Sequence, residues 1–199
     1  MALYLQDKSY INYTLLMALP NALKTAILQM PTKEKDKLLL RLVAKDSTLV
    51  DRLHFELIEE GTTLEERRDE IRSRIDRTAA RRHDTPGWLM MDMRDLSGAI
   101  SYHVKITKDK SAALDLNLYL LLTIMEAQQD LLKTYSSRAD TCALYLAKKA
   151  NTVLTAFNRL QDDYRFDYLS DINRMLEWIY ALCSKMYARQ IGLPQNIEN

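Results

Sequence analysis

Glycine and proline are what this chain lacks. Four of each are spread over 199 residues. Turn-rich β folds draw on these residues at their reversals, so their scarcity directs the chain towards long helices and an all-α fold. Hydrophobic residues make up 47% and charged residues 28%, the balance of a folded domain and not of a disordered tail. The net charge of +1 supplies no global attraction to nucleic acid or to anionic membrane, so any basic function must be local. The longest apolar run, Leu118 to Met125, is broken by Thr123. It falls well short of the roughly 20 residues of a membrane-spanning helix, so no membrane partner is expected. The opening "MALYLQDKSY" has no secretory pattern. Cys142 and Cys183 both fall in helical apolar patterns and read as buried, reduced thiols. Together these features imply a cytoplasmic protein.

The first half reads as short helices. One is expected from Leu3 to Leu19. "PNALKTAILQM" places Pro20 near a first turn, and "PTKEKDKLLLRLVAKD" places Pro31 and Thr32 at a helix start. "STLVDRLHFELIEEG" starts at Ser47 or Thr48 and stops at Gly61, a left-handed terminator. Within it His54 lies in the apolar arc of Leu49, Val50, Leu53, Leu57 and Ile58, and is expected to be buried. Phe55 points to another face, which implies a helix sandwiched between neighbours. These reversals look like helical hairpins of the α-solenoid kind.

Thr85-Pro86-Gly87 marks a change of character. Four long periodic segments follow. Leu89, Met93, Leu96, Ile100, His103 and Val104 share the first face. "LDLNLYLLLTIM" is apolar nearly all round, as in a helix buried on several sides. Ala143, Leu146, Ala150, Val153, Phe157 and Leu160 form the third seam. Leu169, Ile172, Leu176, Ile179, Cys183 and Met186 form the fourth. Breaks are expected at Asp109-Lys110, Ser136-Ser137 and Tyr164-Arg165. Short connections make neighbours antiparallel, so residues 86–190 read as an up-down four-helix bundle. The domain reading is an N-terminal helical lobe, 1–85, packed on a bundle domain, 86–199, or one continuous domain. Gly98, mid-helix, is expected to mark a close helix approach.

The stretch "EERRDEIRSRIDRTAARRH", Glu65 to His83, carries seven arginines. Acids open it and Arg81 and Arg82 close it, which complements the helix dipole. Glu70–Arg74, Glu65–Arg68 and Asp69–Arg72 have ion-pair spacing. Leu64, Ile71, Ile75 and Ala79 form a thin apolar stripe. The main reading is a salt-bridged helix packed along one edge. The nucleic-acid alternative rests on its basic end, Arg74, Arg77, Arg81 and Arg82.

Catalytic motifs are few. No Glu-x-x-His pair, zinc-ligand spacing, nucleophile elbow, phosphate loop or dinucleotide fingerprint occurs, so no metal, cofactor or small-molecule ligand is inferred. Arg77-x5-His83 resembles the Arg-x4–6-His motif of HEPN-type ribonucleases. That resemblance implies a phosphate contact from Arg77 and acid/base work by His83. It covers seven residues. Thr78 stands where the family carries Asn, Asp or His, and the motif precedes the long helices instead of falling late among them.

Eleven tyrosines, with Trp88 and Trp178, exceed what two seams need. Trp178, Tyr180 and Tyr187 fall off the last seam and are expected at an interface. The leading functional reading is therefore a non-enzymatic helical interaction or assembly module. Its partner is a second copy, as a homodimer, or another helical protein. A nucleic-acid-binding protein and a HEPN-like ribonuclease are the rivals.

Overall fold

The computed structural model describes residues 19–198. The helix expected from Leu3 to Leu19 falls, but for its last residue, outside them. The described residues are all-helical and contain no strand. They form α1 (Asn21–Gln29), α2 (Thr32–Val43), α3 (Ser47–Leu57), α4 (Leu64–Ala80), α5 (Pro86–Thr107), α6 (Lys110–Ala127), α7 (Gln129–Leu132), α8 (Asp140–Phe157), α9 (Asp162–Ala181) and α10 (Lys185–Gln190). None is long and apolar enough to cross a membrane. The chain divides into two units after Val50, within α3.

In the first unit Pro20 and Pro31 stand at the N-caps of α1 and α2. Their missing N–H costs nothing there. Lys35 Nζ of α2 donates to the Leu28 carbonyl of α1 at 3.1 Å. Neither helix buries a residue. Leu23, Leu28, Leu39, Leu40 and Leu42 are 46–75% exposed.

The second unit is built around α6, which packs on α4, α5, α8 and α9. A helix with neighbours on so many sides must be apolar nearly all round. Leu116, Leu120, Leu121, Ile124 and Met125 are all fully buried. The thin stripe of α4, Ile71, Ile75 and Ala79, is buried in this same core. Thr85–Gly87 therefore separates two helices but not two cores: α4, expected in the N-terminal lobe, packs against α5 and α6. Thr85 caps α5 by accepting from the Trp88 N–H at 3.4 Å, with Pro86 in the first turn. Asp109 caps α6 through the Ala112 N–H at 3.2 Å. Leu146, Phe157, Ile172 and Ile179 share one buried cluster.

Several expectations are corrected. The third break lies at residues 158–161, and Tyr164 and Arg165 are inside α9. The last seam is cut after Ala181, which leaves Met186 half exposed on α10. The cut is locked from inside: Ser184 Oγ donates to the Ile179 carbonyl at 2.8 Å, and the Cys183 N–H donates to the Leu132 carbonyl at 2.8 Å. Gly98 is exposed, and a Cβ there would meet nothing within 4 Å, so it serves no close approach.

On α3 Phe55 is buried, as the sandwich reading expected, but the arc around His54 is not the buried face. Phe55 is buried, while His54, Val50, Leu57 and Ile58 are exposed. Gly61, at φ +70°, ends the turn and donates its N–H to the Phe55 carbonyl at 3.0 Å. Arg67 then lies 5.5 Å over the Phe55 ring and holds Glu59 at 2.6 Å. These contacts favour the Phe55 face; Val50, Leu57 and Ile58 of the arc are exposed, while Leu49 and Leu53 are half-buried. His54 Nδ1 sits 2.8 Å from Glu59 Oε1 instead of in a core.

Candidate functional site

The arginine helix does more than pair along its own surface. Arg68 and Arg72 make the short-range pairs with Glu65 and Asp69 at 3.2 and 2.8 Å. Arg67 and Arg68 also leave the helix. Arg67 ties down Glu59, and with Thr63 holds that carboxyl at about 2, well below its ordinary 4.5. Arg68 reaches the start of α6, where it meets Asp109, Ser111 and, at 3.8 Å, Asp115. Asp109 is hemmed in further by His103, whose Nε2 lies 3.5 Å away. This buried Arg68–Asp109–His103 group escaped sequence reasoning, because its members are scattered through three helices. It is structural: it joins α4 and α5 to the cap of α6.

The basic end of α4 is arranged differently. The helix stops at Ala80, so Arg81 and Arg82 sit in the connection to α5 and not in a last turn. Arg81 is ion-paired to Asp92, which His83 Nε2 also contacts at 2.8 Å. Arg74, Arg77 and Arg81 line an open cavity of about 370 Å³ together with Asp92 and Asp95. Arg82, His83 and the exposed Trp88 line an adjoining one of about 350 Å³. Arg77 lines the first of these cavities and His83 the second, and the two linings share Arg81 and Asp92. Arg77 Nε bonds its own helix at the Ser73 carbonyl, 3.2 Å away. The His83 ring is buried, with Nδ1 satisfied by no protein group.

Trp178, Tyr180 and Tyr187 are half-buried against the chain's own core. The Tyr180 hydroxyl donates to the Leu193 carbonyl. The Tyr187 hydroxyl donates to Asp140 Oδ1 at 2.5 Å, and Tyr135 donates to the same oxygen at 2.6 Å. Asp140 in turn pushes the Tyr187 hydroxyl up to about 12. The C-terminal tail covers this region: Ile197 exchanges two hydrogen bonds with the Asn173 side chain of α9, at 2.7 and 3.0 Å. The uncovered aromatic area that pointed to an interface at these three residues is largely used within the chain.

A further concavity lies beside them. About 760 Å³ opens between the end of α7 and α10, with Lys133, Lys185 and Arg189 at its edge and Leu182, Cys183 and Met186 beneath. Among the described residues no acid lines it. Sequence periodicity missed it because the break after Ala181, which creates the floor, is invisible in an uninterrupted apolar seam. Burial pushes the Cys183 thiol up to about 11 and Cys142 up to about 12, so neither is a ready nucleophile. Among the described residues no group of three or more His, Cys, Asp or Glu is gathered to hold a metal. No family model matches the sequence, and no curated protein or solved structure matches it either.

Proposed function

We propose that this protein is a non-catalytic helical interaction module, whose N-terminal helices offer an apolar face to another helical protein or to a second copy. One observation carries the reading: α1 and α2 bury nothing, yet Leu23, Leu28, Leu39, Leu40 and Leu42 stand out of them. Apolar side chains grouped in this way mark a contact surface, and an amphipathic helix pair is a common docking element. The second unit has its own buried core around α6. We read α5, α6, α8 and α9 as an up-down bundle with α4 added to it. Two free, buried cysteines fit a reducing, cytoplasmic setting.

A photo-crosslinking residue placed at Leu39 in the full chain tests this in cells. Position 37, on the opposite side of α2, is the control. An adduct with this chain or with one other protein, formed at 39 and not at 37, supports the reading. Equal labelling at both positions opposes it.

The second reading is nucleic-acid binding. It is favoured by the two adjoining cavities that carry Arg74, Arg77, Arg81, Arg82 and the exposed Trp88. Guanidinium groups beside an open aromatic ring suit a single strand. Asp84, Asp92 and Asp95 in the same linings offset most of that charge, which places this reading second. Binding of an oligonucleotide at low salt, weakened by R74E/R77E and by added salt, would raise it. No shift at low salt would remove it.

A further inference from the structure

The cavity beside α10 and the start of α9 are opposite in charge and matched in chemistry. The cavity is lined by Lys133, Lys185 and Arg189 together with Leu182 and Met186, with no acid among the described residues of its lining. Among the described residues none of the three cations is engaged in an ion pair. Lys185 and Arg189 lie four apart, on one face of α10. Asp140, which accepts from the lining residue Tyr135, is occupied by the hydroxyls of Tyr135 and Tyr187. Spread cations beside apolar side chains, with an adaptable methionine among them, suit a peptide surface.

The start of α9 carries the complement. Asp163 and Asp167 are exposed, and Phe166 between them is 74% exposed. Spacings of three and four put Asp163, Phe166 and Asp167 on one side of the helix. Tyr164, beside them, is 60% exposed. The one base in the segment, Arg165, is turned back on its own chain, donating to the Asn158 carbonyl at 2.6 Å and lying 5.7 Å over the Phe157 ring. Acids at a helix start are explained by the dipole. Two large rings held out in water beside them are not.

We infer that Asp163, Phe166 and Asp167 of one copy dock in the Lys133–Lys185–Arg189 cavity of another. Phe166 fills the space over Leu182 and Met186, and the two carboxylates meet the cations at the rim. An aromatic anchor inside a charged rim is the usual composition of a tight contact. The 20 residues of α9 rise roughly 30 Å, so the two surfaces stand a helix length apart and do not meet within one chain. The contact is therefore head-to-tail, and closes a ring or extends a chain of copies. It lies wholly in the second unit and is independent of the α1–α2 face.

Light scattering on full-length variants tests it. F166S keeps the cavity and loses the segment; K185E/R189E keeps the segment and reverses the cavity. Wild type should exceed the monomer mass at tens of micromolar, each variant alone should read as monomer, and an equimolar mixture should read as a dimer and grow no further. All substituted residues are exposed, and circular dichroism verifies the fold. Should K185E/R189E not fold, K185S/R189S carries the same expectation. Neither variant alters α1 or α2, so association through that face alone would leave both variants like wild type. That outcome would overturn the inference, as would a monomeric wild type at high concentration or a mixture that stays monomeric.

Discussion

The Arg68 guanidinium grips the Asp109 carboxylate at 2.6 and 2.7 Å, although the two lie 41 positions apart. Both side chains are largely buried. Burial by itself pushes the Asp109 carboxyl up, but the bonds from Arg68, Ser111 and the Ala112 N–H outweigh it and hold the group below its ordinary value. Removing one member of a buried pair strands the other charge. Arg68→Ala should therefore cost about 3–5 kcal/mol in urea denaturation. Arg68→Met with Asp109→Leu should recover part of that loss. A near-neutral Arg68→Ala would show the pair to be solvated.

Acid should weaken the fold in two stages. Burial lowers His103 below its ordinary 6.5, with Asp109 pulling the other way and Arg68 and Arg67 adding to the depression. His103 is thus neutral in the fold, while the unfolded chain takes up a proton near 6.5. Its contribution is complete above that pH and is lost as pH falls from there towards the folded value. Glu59, held at about 2, contributes above 4.5 and is lost as pH falls from 4.5 towards 2. Urea midpoints measured from pH 8 to pH 3 should show both declines, and His103→Gln should remove the first. An unchanged slope between pH 7 and 5 in that variant would count against the assignment.

Gly98 is a defect with no compensating contact. It lies inside α5, its φ is ordinary, and open space surrounds the missing Cβ. Gly98→Ala should raise stability by roughly 1 kcal/mol, the propensity difference at an exposed helical site. Destabilisation would reveal a close neighbour at this position.

The helices were legible because their signals are local. Gly61, Thr85, Pro86 and Asp109 each mark a boundary by their own chemistry, and Leu146 through Ile179 follow a helical period. The break after Ala181 was not legible, because Cys183 and Met186 continue the period through a turn held by Ser184 and by the Cys183 N–H. Nor was the buried side of α3: Leu57 and Ile58 are as apolar as Phe55, and only the Arg67 contact across the Gly61 turn decides between the faces. Candidate surfaces fared worse still. Trp178, Tyr180 and Tyr187 do lie off the seam, but the tail beyond Gly192 and the Asp140 carboxylate use them. The cavity at Lys133, Lys185 and Arg189 joins side chains from the connection after α7 and from α10, a pairing that no periodicity encodes.

Leu23, Leu28, Leu39, Leu40 and Leu42 of α1 and α2 are exposed among the described residues, and the proposed contact face depends on that exposure. The measurement that tests it most directly is the urea denaturation of L39E/L42E beside wild type. Exposed positions tolerate such changes within about 0.5 kcal/mol, whereas glutamate at buried leucine sites costs several. The account requires an unchanged midpoint, with crosslinking from α2 lost. A loss of roughly 2 kcal/mol or more would place these leucines in the chain's own core and leave no apolar face to offer a partner.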